Sequence, residues 1–168
     1  MTRKALELFR APDLKSPGSI AVEGDWSNGA FFLVADYLGS QLNIKGLAAD
    51  SAQGDRAIMD ILRQMKTGCP TVSAADIPDL IPVLSVAAAF SHGAVFTDIQ
   101  RLRLKESDRV SSVVSMIEGL GGSAQATEDT LTIHSIPLTS GTVDSVNDHR
   151  IAMSAAIAAT ACTEAVTI

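Results

Sequence analysis

The densest group of chemically useful side chains lies in one short segment, RLRLKESDRV at residues 101–110. Its charged members are Arg101, Arg103, Lys105, Glu106, Asp108 and Arg109. The segment lies where a predicted strand leads into a predicted helix, and the N–H groups at the start of a helix favour a bound anion. Lys105 and Arg109 would share a helix face if that helix began early enough. The pattern predicts a phosphate or carboxylate site, and the alternative is a solvated charge run that pairs with itself.

A second segment, NDHRIAMS at residues 147–154, places cations at the start of an alanine-rich helix. Asp148 is a candidate N-cap, and His149 and Arg150 fall in the first helical turn. Cations there oppose the helix dipole, so their presence needs another cause. An anionic ligand would supply it, and pairing of His149 and Arg150 with neighbouring carboxylates is the alternative.

A third segment, DIPDLIP at residues 76–82, places Asp79 before a helix that has Pro82 in its first turn. Helix capping by Asp79 is therefore the simplest interpretation. All three segments nevertheless precede a helix within a repeated unit. If the strands of these units run parallel, the three helix starts meet at one edge, where α/β units place their sites.

The elements that must position these residues recur along the chain. The predicted order is a strand at 19–25, a helix at 27–38, a strand at 41–47, a helix at 54–65, a helix at 79–90, a strand at 94–99, a helix at 107–120, a hairpin at 123–136, a helix at 148–162 and a strand at 165–168. Two Asp-Arg pairs, at 55–56 and 108–109, stand 53 residues apart in equivalent positions. Recurrence at such a period indicates stacked copies of one supersecondary unit.

We therefore expect an α/β (α+β) protein of repeated βαβαββ units that form an incomplete single domain. The expected division is a lead-in segment at 1–18 followed by a partial domain at 19–168. Within it we expect a first unit at 19–75 that lacks a hairpin, a second at 76–140 and a truncated third at 141–168.

Composition excludes several classes of function. Thirteen Lys and Arg against 19 Asp and Glu leave no broad basic field for nucleic acid or an anionic membrane. Aromatic residues make up 4% of the chain, which argues against a base-stacking platform. Two cysteines without a CxxC spacing, and His92 and His134 without ligand spacing, predict neither a disulfide framework nor a metal site. The charged, proline-interrupted start predicts no signal peptide or membrane span. Because the two cysteines cannot form a disulfide framework, we expect a protein of the reducing cytoplasm.

Four stretches together carry a family resemblance: VEGDWSNGAFFL, DIPDLIPVLSVAAAF, LRLKESDR and NDHRIAMS, spread in this order over residues 22–154. They resemble the second half of the 5-enolpyruvylshikimate-3-phosphate (EPSP) synthases, also called 3-phosphoshikimate 1-carboxyvinyltransferases. The sister transferase family that acts on UDP-N-acetylglucosamine shares the fold but is not similar in the last two stretches, so it is an alternative that ranks well below.

The resemblance implies transfer of the enolpyruvyl group of phosphoenolpyruvate to the 5-hydroxyl of shikimate 3-phosphate, without a metal or organic cofactor. It implies that Asp79 and Glu106 are catalytic, with Asp79 accepting a proton from the 5-hydroxyl and Glu106 transferring one at the enolpyruvyl carbon. The substrate-binding residues implied are Lys105, Arg109, His149 and Arg150.

It also implies that the family's site lies between two domains, of which this chain resembles one. We therefore expect an enzyme half that is inactive alone and needs a second domain or complementary chain. The alternative is a non-catalytic binding or assembly module, which could form a homo-oligomer through its truncated edges.

Overall fold

The computed structural model describes residues 2–10, 13, 15–16 and 18–168. The α-helices are α1 (Thr2–Leu8), α2 (Trp26–Tyr37), α3 (Ile58–Met65), α4 (Ile81–Ala89), α5 (Arg109–Gly119) and α6 (His149–Ala159). The strands are β1 (Thr71–Ser73), β2 (Ala94–Thr97), β3 (Ala124–Ala126), β4 (Thr130–Ile133), β5 (Gly141–Thr142) and β6 (Val166–Thr167). Single 3₁₀ segments at Gly54–Ala57 and Ile99–Leu104 precede α3 and α5. The predicted lead-in at 1–18 includes residues 1, 11, 12, 14 and 17, which lie outside the described residues.

Helix α4 is the centre of the core. Every residue from Ile81 to Ala89 is buried, as expected for a helix that is apolar on all sides. Helices α2, α3, α5 and α6 pack around it, and its remaining side contacts β2 and β4. Because α4 is enclosed, the turn that precedes it is held in one place, and this turn carries Asp79.

The strands form two sheets. The larger has the order β1-β2-β4-β3, with β1 parallel to β2 and the other neighbours antiparallel. The β3–β4 pair confirms the hairpin predicted at 123–136. The smaller sheet is the parallel pair β5–β6, which contains part of the strand predicted at 165–168.

Two amphipathic helices confirm the periodicity of the sequence. On α3 the predicted face of Ile58, Ile61, Leu62 and Met65 is buried. On α5 and its C-cap the residues Val110, Val113, Ile117 and Leu120 are buried, and Val114 is half-buried. Gly121 ends α5 with a φ of +87°, a conformation that glycine adopts without steric cost.

The strands predicted at 19–25 and 41–47 are wrong. Both segments lack regular strand structure and pair with no strand, apart from one backbone hydrogen bond in which Gly24 N–H donates to Gly46 O at 2.9 Å. A strand needs a neighbour to satisfy its backbone and cover one face, whereas residues 18–23 are exposed and Val22 is 91% accessible. Strand β1 was missed because three residues are too few for an alternating pattern to be detected.

No helix in the described part of the chain combines the length and apolar character needed to cross a bilayer.

Candidate anion-binding site

Three segments that are distant in sequence converge at the starts of α4, α5 and α6. We call the charged side chains that meet there the Arg109 cluster: Asp79, Lys105, Glu106, Arg109, Asp148 and Arg150. The first comes from the turn before α4, the next three from the end of the 3₁₀ segment and the start of α5, and the last two from the start of α6. This convergence confirms that the three helix starts gather in one place.

Arg109 is the centre of the cluster, and its side chain is 0% exposed. Nε donates to Asp148 Oδ2 at 2.9 Å, and Nη2 approaches Asp148 Oδ1 at 3.5 Å. Nη1 donates to Asp79 Oδ1 at 2.6 Å, and Nη2 also donates to Glu106. Burial alone would lower the pKa of Arg109, but the hydrogen bonds that Arg109 donates to Asp148 and Asp79 raise it overall. The guanidinium therefore stays charged, with carboxylates on both edges.

Asp148 holds one edge of this guanidinium and is itself fully buried. Its carboxylate also accepts the backbone N–H of Arg150 at 2.9 Å and the hydroxyl of Ser107 at 3.0 Å. Ser112 in turn donates to Ser107 at 3.1 Å. Burial raises the pKa of Asp148, but the hydrogen bonds from Arg109 and the Arg150 backbone outweigh it and lower the pKa overall. Asp148 is thus the predicted N-cap of α6, and it also joins α5 to α6.

Asp79 is shared by three cations. Besides Arg109, the Nζ of Lys105 lies 3.2 Å from its Oδ1, and Nη2 of Arg150 lies 3.7 Å from its Oδ2. Burial raises the pKa of Asp79, but the hydrogen bond from Arg109 and the charges of Arg150 and Lys105 lower it overall. The predicted capping role of Asp79 is wrong, because Leu80 is the N-cap of α4 and the Asp79 carboxylate faces these cations.

Arg150 is the least satisfied member of the cluster. Its side chain is 10% exposed and its guanidinium lies 6.0 Å from the centre of the Phe31 ring. The 3.7 Å separation from Asp79 is too long for a hydrogen bond, and Nη1 has no partner among the described residues. A buried guanidinium N–H without an acceptor is unfavourable, so this position favours an added acceptor.

The charge run at 101–110 divides into two parts. Asp108 caps α5 by accepting the N–H groups of Val110 and Ser111, and it pairs with half-exposed Arg103 at 3.2 Å. The Arg103–Asp108 pair matches the alternative of a solvated charge run that pairs with itself. Arg109 does not match it, because its side chain is buried and contacts Asp79 outside the run. Lys105 and Arg109 were expected to share a helix face on the condition that the helix began early enough. That condition is not met, because α5 begins at Arg109 itself, but both side chains reach Asp79.

His149 is the one predicted site residue outside the cluster. It is the first residue of α6, is exposed, and its side chain makes no hydrogen bond to any residue that the structure describes. Sequence alone placed His149 beside Arg150, but a helix turns by about 100° per residue, so the two neighbours point in different directions.

An open cleft of about 610 Å³ lies beside Asp79 and Lys105. Its wall includes Arg101, from the charged segment at 101–110, and polar side chains for which no site was predicted: Glu23, Asp25, Ser27, Gln53, Asp55 and Asp76. Ser27 donates a hydrogen bond to Asp55, whose pKa is raised mainly by burial. The recurrence of Asp55-Arg56 at Asp108-Arg109 was the signal that could have identified Asp55. Arg101 donates to the carbonyl of Ala75 at 3.0 Å.

The cluster brings three cations and three carboxylates together at one place. Its three cations, Lys105, Arg109 and Arg150, lie within 4 Å of carboxylates that compete for the same donors. Planar guanidinium groups match the geometry of carboxylate and phosphate. Among the residues that the structure describes, no group of three His, Cys, Asp or Glu side chains could hold a metal ion.

Comparison with known sequences gives a consistent result. A sequence model of the family EPSP synthase (3-phosphoshikimate 1-carboxyvinyltransferase) matches residues 67–168. The chain is 42% identical over 165 residues to the 3-phosphoshikimate 1-carboxyvinyltransferase of Clostridium novyi, covering 88% of this chain and 38% of that protein. It is also 42% identical over 163 residues to the enzyme of that name from Clostridium acetobutylicum, with the same coverage of both chains. The chain therefore spans about 38% of the length of these relatives.

Comparison of folds agrees. An EPSP synthase from Acinetobacter baumannii superposes with a TM-score of 0.70 at 23% identity, covering 86% of this chain and 42% of that one. At that identity the match shows the shared fold, including the α/β class predicted from the sequence. With the sequence matches, it shows that this chain belongs to the EPSP synthase family.

Proposed function

We propose that this chain supplies one half of an enolpyruvyl transferase site. In this reaction the enolpyruvyl group of phosphoenolpyruvate passes to the 5-hydroxyl of shikimate 3-phosphate, and phosphate is released. The observation that carries the proposal is the Arg109 cluster, in which every predicted site residue except His149 meets in one set of ion pairs.

The cations are assigned to the two anionic substrates. Arg109 and Arg150 bind phosphoenolpyruvate, and Lys105 binds shikimate 3-phosphate. Two polyanions repel each other, so cations are needed to bring hydroxyl oxygen and vinyl carbon together. The unpartnered Nη1 of Arg150 supports its role, because a substrate oxygen would satisfy it. His149 is proposed to join this pocket from the first turn of α6.

The two carboxyl groups of Asp79 and Glu106 are assigned to proton transfer. Asp79 accepts the proton of the 5-hydroxyl while the hydroxyl oxygen bonds to the central enolpyruvyl carbon, and Glu106, in its protonated form, delivers its proton to the neighbouring methylene. Elimination then returns one proton of the resulting methyl group to Glu106, and the phosphate leaves with the proton that Asp79 had accepted. Each well-placed acid or base contributes roughly 10²–10⁴ in rate. Arg109 contacts both carboxyl groups, which supports their assignment to one site.

A second domain or a complementary chain is part of the proposal, because the match covers about 38% of the length of the relative from Clostridium novyi. The test mixes this chain with the part of the Clostridium novyi enzyme that lies outside the aligned region. Phosphate release from shikimate 3-phosphate and phosphoenolpyruvate is then measured for each component and for the mixture. We expect release from the mixture and none from this chain alone.

Two variants make the test specific. Glu106→Gln should abolish release by the mixture, whereas Glu118→Gln, the same change at the exposed far end of α5, should retain it. Release by this chain alone would overturn the half-site interpretation. Equal release with Glu106→Gln would overturn the role of Glu106.

An assembly module is the second candidate, and the observation that favours it is the β5–β6 pair. Strand β6 pairs with β5 alone among the strands of the described residues, so its other edge is free to add a strand. A second copy of the chain could pair there as a homo-oligomer. Sedimentation that shows a monomer at high concentration would contradict this candidate.

A cytoplasmic location is also proposed, supported by the two free thiols of Cys69 and Cys162.

A further inference from the structure

The two edges of the Arg109 guanidinium are held by different kinds of carboxylate. The inner edge, formed by Nε and Nη2, faces Asp148, whose side chain is 0% exposed. The outer edge, formed by Nη1 and Nη2, faces Asp79 and Glu106, whose side chains are 31% and 51% exposed. An arriving ligand can therefore reach the outer partners but not the inner one.

The inner partner is also fixed by its surroundings. Asp148 accepts from Ser107 and from the backbone of Arg150, so moving it would break the cap of α6 as well. Glu106 has no such anchor, because Arg109 is its one hydrogen-bonding partner among the described side chains. When the Glu106 carboxylate moves into solvent, the one hydrogen-bonding group of the described residues that loses its contact is Nη2 of Arg109.

An anion that binds Arg109 must compete with the carboxylates that already accept its N–H groups. Binding therefore requires an exchange of counter-ions, and this inference rests on the proposed function. We propose that Glu106 and Asp79 occupy the outer edge of Arg109 in the free protein and give it up to an anionic ligand. Asp148 is the positioning residue that keeps the inner edge throughout. In the free protein the carboxylates of Glu106 and Asp79 thus occupy the place that the carboxylate or phosphate of the ligand takes when it binds.

The exchange also changes Asp79. The charged groups that face it are Lys105, Arg109, Arg150 and, across the cleft, Asp55. In the free protein the cations hold the pKa of Asp79 below its ordinary value despite its partial burial, which makes it a weak base. A ligand that takes over these cations removes that stabilisation, so Asp79 becomes a better proton acceptor when the anion arrives.

Inorganic phosphate titrated into the 168-residue chain tests the exchange by calorimetry. Glu106→Gln removes the competing charge, and we expect phosphate to bind about two- to fivefold more tightly, the range for a half-exposed ion pair. Glu118→Gln is the matched control, since it lies about 14 Å from Arg109 along α5, beyond the screening length. It should leave the affinity unchanged. Thermal melts of each variant check folding.

The positioning role of Asp148 needs a second pair of variants. Asn at this position still caps α6 but lacks the charge that orients Arg109. We expect the tightening caused by Glu106→Gln to disappear in the Asp148→Asn background, an effect that altered stability alone would not produce. If that chain does not fold, Ser107→Ala, which removes one anchor of Asp148, should reduce the same tightening.

The possible results separate the exchange, the role of Asp148 and the proposed function. Unchanged or weaker phosphate binding in Glu106→Gln, equal tightening in Glu118→Gln, or no binding by any variant overturns the exchange. Equal tightening in all backgrounds overturns the role of Asp148. Tightening without any enolpyruvyl transfer by the complemented chains would retain the exchange and reject the proposed function. Enolpyruvyl transfer without tighter phosphate binding in Glu106→Gln would retain the proposed function and reject the exchange.

Discussion

Two ion pairs of the same sequence spacing behave differently in this molecule. Asp60–Arg63 on α3 and Glu106–Arg109 at the start of α5 both join residues three apart. Arg63 is 72% exposed and pairs with one carboxylate, whereas Arg109 is 0% exposed and contacts three. Spacing therefore permits a pair, while burial and additional partners decide whether that pair organises a site.

Removal of the arginine should give the largest difference between the two regions. Arg109→Met leaves buried Asp148 without its counter-ion, which costs about 3–5 kcal/mol in the free energy of unfolding. Arg63→Met removes an exposed partner and should cost less than about 1 kcal/mol. Chemical denaturation of both variants measures this. Equal losses would show that burial does not separate the two regions.

Asp148→Asn should cost about 2–4 kcal/mol at neutral pH, because the amide keeps the cap but not the charge. The lowered pKa of Asp148 means that its contribution is present above the ordinary carboxyl pKa of about 3.9 and is lost as pH falls through the folded-state value. The acid limb of the variant's stability should therefore be flatter than that of the wild type.

Unfolding free energies measured between pH 7 and pH 2 check this. Asp60→Asn is the control, and it should leave the loss of unfolding free energy at low pH unchanged, since its partner Arg63 is exposed. Parallel curves for Asp148→Asn and the wild type would contradict the assignment of Asp148 as the inner counter-ion.

Ser107→Ala should cost about 1–2 kcal/mol, since the lost hydroxyl donates to the buried charge of Asp148. Ser111→Ala is a matched change on an exposed hydroxyl that donates to the Asp108 carbonyl, and it should cost less than about 0.5 kcal/mol. Thermal melts compare the two. A larger loss at Ser111 would reverse the contrast between the buried and exposed regions.

Glu106→Gln should change stability less than Arg109→Met, Asp148→Asn or Ser107→Ala, by less than about 1 kcal/mol, because its carboxylate is half-exposed. A small effect on unfolding combined with a measurable effect on phosphate affinity separates the outer edge of Arg109 from the inner edge. A loss as large as that of Asp148→Asn would show that the two edges are equivalent.

Local pattern was enough to predict the parts of the fold that depend on one helix. The buried faces of α3 and α5 follow from the spacing of their apolar residues, and Asp148 was recognisable as a cap from its position before an alanine-rich helix. The gathering of the three helix starts was also predicted, on the condition that the strands run parallel. The three helix starts do meet, although the larger sheet is mixed, with β1–β2 parallel and β2–β4 and β3–β4 antiparallel.

Long-range contacts explain what the sequence did not reveal. Asp79 looked like a cap, but Arg109, which lies 30 residues later, binds its carboxylate. The strands at 19–25 and 41–47 had the right alternation but lack the neighbour that a strand requires. The second role of Asp148 depends on Ser107 and Arg109 reaching it across about 40 residues of sequence, which no local pattern encodes.

The most direct measurement follows the charged atoms themselves during titration with phosphoenolpyruvate. Nuclear magnetic resonance can observe the side-chain Nε of Arg109 and the carboxyl carbons of Glu106 and Asp148. We expect the Arg109 and Glu106 signals to shift together with one dissociation constant, while the Asp148 signal stays in place. An unchanged Arg109 signal, or a shift of Asp148 without Glu106, would contradict the assignment of this cluster as the anion site.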